Sequence, residues 1–233
     1  MWTFLAFYLA LFSQTGEGRP LFVASTPPAA MIVSELAAGR AEVRTLLPNG
    51  ASPHTFDPKP SDLALVSKAR ALVYVGPELE SWAAKLHAKE AIALLPFLPV
   101  AKRLPSGGDH DHDHDHDHDH GLYDPHFWSD PQAVREVLPG LADRLCAQDA
   151  AGCATYKKNA AAFAQTLTRL DAQAAARLAP QKGRPVLSSH PFFQYFFARY
   201  GAGQRMLVAQ SCDHEPTPRA LGAIFAFVAK NKI

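Results

Sequence analysis

Charge of one sign is what this sequence most lacks: 23 lysines and arginines against 22 aspartates and glutamates leave a formal net charge of +1. No broad basic field is available, which excludes recognition of nucleic acid or anionic lipid by bulk charge. Long hydrophobic runs are missing too. The apolar N-terminal stretch Met1-Trp-Thr-Phe-Leu-Ala-Phe-Tyr-Leu-Ala-Leu-Phe12 falls short of the roughly 20 residues a membrane-spanning helix needs. Cysteine is scarce, at three residues, and none forms a CxxC pair, which argues against a cysteine-based zinc site. An HExxH helix is also absent, so the general base of that class of zinc hydrolases is not supplied.

What remains is a chain of 233 residues, 48% hydrophobic, enough for one large domain or two small ones. The apolar N-terminal stretch has the length of a signal-peptide core, although no Lys or Arg precedes it and no clean small-x-small cleavage site follows. The alternative is a buried N-terminal helix. We read residues 1–19 as an export signal, with the mature chain starting near Gly16 to Pro20 in a periplasm-like space. No cysteine follows the run, so a lipid anchor is not expected. Cys146 and Cys153 flank the polar segment Ala147-Gln-Asp-Ala-Ala-Gly152, where an oxidising compartment permits a disulfide; two unpaired thiols are the alternative. Cys212 is then left over.

Hydrophobic periodicity predicts strands at Leu21–Ser25, Glu42–Leu47, Ala71–Val75 and Ala91–Leu95. Helices are expected after the turn Thr26-Pro27-Pro28 through Gly39, from a Ser61 cap onward, and over Glu78–Lys89. Strands alternating with helices in this way form βαβ units and a largely parallel sheet. Helical spacing resumes over Pro131–Cys146 and runs from Ala154 to Leu178. About 25 residues make a helix of roughly 37 Å, a length suited to a strut between two lobes; a long helix packed on a single sheet is the alternative. A second α/β unit follows: strand Arg184–Ser189, helix Pro191–Tyr200, strand Met206–Ala209 and helix Pro218–Lys230. Two strands bury little surface alone, so the second lobe is expected to be incomplete and the sequence truncated at its C-terminus. The expected division is an N-terminal lobe over 20–150 with an Asp/His-rich loop at 105–122, a linking helix over 151–181, and a C-terminal lobe over 182–233.

Three histidines stand in stiff, proline-bounded loops. His54 lies in Pro48-Asn-Gly-Ala-Ser-Pro-His-Thr-Phe-Asp-Pro58, just past a strand's C-terminal end, where open α/β sheets place their ligands. His190 repeats the arrangement in Ser188-Ser-His-Pro191, and His126 sits between Pro125 and Pro131. Proline restricts each loop, so the imidazoles are held without a large ordering cost at binding. Asp124 is placed to orient an imidazole. Asp109 to His120 alternates six aspartates with six of the eleven histidines. We read it as a flexible, solvated loop whose His110, His112, His114, His116, His118 and His120 capture metal weakly. Asp213 and Glu215 are weaker candidates, and His87 and His214 are expected to be solvated.

Four segments carry a resemblance: Gly50-Ala-Ser-Pro-His-Thr-Phe-Asp-Pro-Lys-Pro-Ser-Asp62, Ala71-Leu-Val-Tyr-Val-Gly-Pro-Glu-Leu-Glu-Ser-Trp82, Asp124-Pro-His-Phe-Trp-Ser-Asp-Pro131 and Ser189-His-Pro-Phe-Phe-Gln-Tyr-Phe-Phe197. Their order and spacing resemble the zinc/manganese ABC-transporter solute-binding proteins, from about residue 20 to the last residue. The resemblance implies two α/β lobes joined by a long rigid helix, with one metal in the cleft held by His54, His126 and His190. A histidine at the third of these positions favours Zn²⁺ over Mn²⁺, because nitrogen donors suit zinc better. The family's usual fourth ligand, an aspartate late in the second lobe, is expected beyond Ile233; water or a nearby carboxylate then completes the tetrahedron. The implied protein is a periplasmic zinc receptor, monomeric and not inserted in the membrane, that hands Zn²⁺ to a permease and is not an enzyme. The competing readings are a zinc hydrolase or lyase, since three histidines plus water also make a catalytic site, and a zinc buffer or chaperone acting through the Asp/His loop.

Overall fold

A computed structural model describes residues 18–106, 122–203, 205–208 and 216–233. Residues 1–17 of the stretch read as an export signal, the Asp109–His120 run and Cys212, Asp213, His214 and Glu215 lie outside the described residues.

The first α/β unit runs β1 (Leu21–Ala24), α1 (Pro27–Ala37), β2 (Glu42–Thr45), α2 (Pro60–Lys68), β3 (Ala71–Tyr74) and β4 (Ala91–Ala93). Its four strands are parallel in the order β2-β1-β3-β4. Central strands β1 and β3 are buried along almost their whole length, which explains why they read as unbroken apolar runs rather than as alternating ones. Alternation decides only the face. Phe22, Ala24 and Val73 turn to a large core that includes α1 and the helix α3 (Pro131–Gln148), whereas Val23 and Leu72 turn to a smaller cluster with Val66 and Trp82.

Helix α4 (Cys153–Leu178, 26 residues) buries Tyr156, Ala160 and Leu167, and packs on α1 and α3. Its last turns are largely exposed and lead to the second unit: β5 (Val186–Ser188), α5 (Gln194–Tyr200), β6 (Arg205–Leu207) and α6 (Pro218–Asn231). β5 and β6 pair in parallel, Val186 opposite Arg205. Among the described residues no helix is long and apolar enough to cross a membrane.

Two expectations need correction. The helix expected over Glu78–Lys89 is a set of turns with a single 3₁₀ turn at Ala83–Lys85. The apolar spacing of Leu79, Trp82 and Ala83 is real and all three are buried, but the Glu80 side chain folds back onto the backbone N–H groups of Val75 and Gly76. The helix at Pro191 likewise opens as a 3₁₀ turn, Pro191–Phe193, before α5 begins. A smaller shift concerns α2, which starts at Pro60 rather than after Ser61. Proline is pre-set for the first helical position, and Asp62 accepts the N–H of Lys59 at 2.8 Å.

Cys146, in the last turn of α3, and Cys153, the first residue of α4, are joined as a disulfide. The bridge closes a short loop, with a sequence separation of 7, so its stabilisation is modest. Replacing both cysteines with serine is expected to cost about 2 kcal/mol and to lower Tm by about 5 °C, read by calorimetry on oxidised protein. An unchanged Tm would show that the packing of α3 on α4 already fixes the turn.

Candidate metal centre

His54, His126 and His190 come together. Each offers a ring nitrogen, and the three atoms lie within 4.8 Å of one another. Ring centroids are 6.2 Å apart for His54 and His126, 6.2 Å for His54 and His190, and 5.3 Å for His126 and His190. A tetrahedral zinc with Zn–N bonds of about 2.0–2.1 Å sets its ligand nitrogens about 3.3 Å apart. Small ring movements therefore suffice to grip an ion.

Each imidazole is held differently. His126 is buried, and its Nδ1 lies 2.7 Å from Asp124 Oδ1, which also accepts the His126 backbone N–H at 2.8 Å. A carboxylate only accepts, so the neutral ring that faces it carries its proton on Nδ1 and has its lone pair on Nε2. That Nε2 is buried without a hydrogen-bond partner among the described residues. Buried polar atoms are rarely left so, and this one fits an absent cation. Trp128 and Phe192 pack edge-on against the ring, at 5.1 and 4.9 Å between centroids, so the imidazole is flanked by aromatic surface.

The His54 loop is fixed by the indole of Trp82, whose Nε1 donates to the Pro53 carbonyl at 2.7 Å. Trp82 is in turn packed by Phe56 at 4.9 Å, and the His54 N–H donates to Ser52 Oγ at 3.3 Å. His190 ends the loop after β5. Its Nδ1 accepts the Phe192 N–H at 3.2 Å, the Ser188 hydroxyl donates to its carbonyl at 2.7 Å, and the Phe192 ring lies 3.9 Å from its own. His87 is exposed.

Sequence reasoning did not single out three positioning groups. Trp82 and Tyr195 were visible only as members of the shared segments. Glu80 is the third: fully buried at the C-terminal ends of β1 and β3, it accepts from the Ser25 hydroxyl, from Val75 N–H at 2.8 Å and from Gly76 N–H at 3.3 Å. Burial pushes its carboxyl up to about 7, against the pull of those donors.

Comparison with known proteins places this geometry in context. The profile of the family described as "Zinc-uptake complex component A periplasmic" matches residues 22–233. The chain is 29% identical over 227 residues to the zinc-binding lipoprotein AdcA of Streptococcus pneumoniae, with 94% of this chain and 45% of that protein covered. It is 31% identical over 232 residues to the high-affinity zinc uptake system protein ZnuA of Paracoccus denitrificans, covering 88% of this chain and 71% of that one. The chain therefore spans less than half of AdcA and about 71% of that ZnuA. Among solved structures, the Zn(II)-bound form of a variant of AdcAII from Streptococcus pneumoniae superposes with a TM-score of 0.80 at 28% identity, covering 92% of this chain and 79% of that chain. The fold is accordingly the two-lobed α/β arrangement of such binding proteins. With its profile match running from β1 to the last residue, the chain belongs to the family of periplasmic A components of zinc-uptake complexes.

Proposed function

We propose that this chain is the solute-binding component of a zinc-uptake ABC transporter, which binds one Zn²⁺ outside the cytoplasm through His54, His126 and His190 and passes it to a membrane permease. One observation carries the reading. Three imidazoles from three separate loops converge within 4.8 Å, and the buried Nε2 of His126 finds no hydrogen-bond partner among the described residues. Three nitrogen donors suit zinc better than manganese, although copper should bind still more tightly, so selectivity cannot rest on raw affinity. The names of AdcA and ZnuA, a zinc-binding lipoprotein and a zinc-uptake protein, support the same cargo. Water or a carboxylate takes the fourth position.

The division into lobes at 20–150 and 182–233, with 151–181 linking them, puts His54 and His126 on one side and His190 on the other. Zinc then clamps the lobes together. In this reading the chain is a monomeric binder and not an enzyme, and the Asp109–His120 run raises the local zinc concentration without forming the tight site.

Calorimetric titration of the metal-free chain with zinc tests both parts. One tight site plus several weaker ones is expected, and deletion of residues 109–120 should remove the weak ones and spare the tight one. Loss of the tight site on deletion would assign it to the acidic histidine run instead. Zinc-dependent turnover of ester or anhydride substrates would favour the hydrolase.

A further inference from the structure

Tyr195 sits near the start of α5, five residues beyond His190, and is buried. Its hydroxyl makes two hydrogen bonds across the molecule. It accepts the backbone N–H of Leu104 at 3.0 Å and donates to the backbone carbonyl of Asp124 at 3.0 Å. Leu104 and Asp124 are themselves joined, Asp124 N–H to Leu104 carbonyl at 2.9 Å, beside an antiparallel bridge between Pro105 and Tyr123. Burial pushes the phenol up to about 12, so the hydroxyl stays able to donate and accept throughout the working range.

Asp124 is the residue whose carboxylate fixes the His126 ring. A continuous path therefore runs from one candidate ligand to another: His190, the 3₁₀ turn it caps, α5, the Tyr195 hydroxyl, Asp124 and His126. One helical turn along from Tyr195, Arg199 reaches both oxygens of Asp171 on α4 at 2.5 Å and Asp130, the cap of α3, at 3.2 Å. Helix α5 is thus held at two points by elements outside its own unit. Such a hold matters for a metal site, because productive ligand geometry tolerates errors of only about 0.5 Å.

We infer that Tyr195 is a positioning residue, whose hydroxyl sets the separation of His126 and His190 and thereby the affinity and geometry of the metal site. The inference rests on the three-histidine reading above. Tyr195→Phe keeps the ring and removes only the two hydrogen bonds. Groups that orient metal ligands typically cost tenfold or more in affinity when removed, so Tyr195→Phe should weaken Co²⁺ and Zn²⁺ binding by about tenfold. It should also shift the visible bands of the Co²⁺-loaded chain, which report ligand geometry, while the metal-free Tm falls by only a few degrees.

The Cys146→Ser/Cys153→Ser variant serves as the control, since it lowers stability at the far end of α3 and should leave the cobalt bands in place. If the wild-type chain gives no nitrogen-ligated cobalt spectrum, the three-histidine reading fails. If the wild type gives it and Tyr195→Phe retains both spectrum and affinity, the Tyr195 inference alone fails. A Tyr195→Phe chain that no longer folds overturns it as well, because the role would then be general stability.

Discussion

Replacing His126 with alanine is expected to lower zinc affinity several hundredfold, the largest loss predicted for any single ligand. Structural zinc sites bind with apparent free energies of about 10–16 kcal/mol shared over four ligands, so one ligand is worth about 2.5–4 kcal/mol, and each 1.4 kcal/mol is a factor of ten. His126 should sit at the upper end for two reasons. It is the buried member of the three, flanked by Trp128 and Phe192, and its removal takes the ring N–H from the buried Asp124 carboxylate, which keeps only the backbone N–H of residue 126 from this pair of donors. Asp124→Asn should give a smaller loss, about tenfold, because an amide can still meet the ring but no longer strengthens its basicity. Competition titrations against a chromophoric chelator give both values, with circular dichroism checking the fold. Equal affinities for wild type and His126→Ala would remove this residue from the site.

The three histidines were legible because their signal is local. Each stands beside proline in a loop next to a strand or helix end. The elements α3 and α4 were legible for the same reason: Val134, Val137, Leu138, Leu141 and Leu145 lie on one buried face. Long-range groups were not legible. The Trp82 indole meets Pro53 across 29 residues, Ser25 meets Glu80 across 55, and the Tyr195 hydroxyl meets Asp124 across 71. Nothing in the spacing of those residues announces a partner so far away. The missed turn at Glu78 has the same origin, since a helical apolar pattern was present but a buried carboxylate claimed the N–H groups at the end of β3.

That carboxylate leads to the second large effect, in which a substitution at a buried site should gain stability relative to wild type as pH rises. Glu80 has its carboxyl raised from 4.5 to about 7, chiefly by burial. A raised carboxyl is favoured in its protonated form by the folded state. Its contribution is therefore fully present below pH 4.5 and lost as pH rises through 7, where a charge must be kept inside the fold. The amount at stake is on the order of 3 kcal/mol. Glutamine has the same shape and no charge: its oxygen can accept from Val75 and Gly76, and its NH₂ can donate to the Ser25 hydroxyl in place of the bond Ser25 now donates. The stability of Glu80→Gln relative to wild type should accordingly rise between pH 4.5 and pH 8 by on the order of 3 kcal/mol, whatever its offset at the acid end. Denaturant unfolding of the two chains across that range measures the difference, and other titrating groups cancel in it. Parallel stability profiles would mean that the Ser25, Val75 and Gly76 donors already balance the burial. A rising difference would instead identify Glu80 as a carboxyl whose ionisation loosens the C-terminal ends of β1 and β3, and β1 is the strand on which β2, just ahead of the His54 loop, is paired.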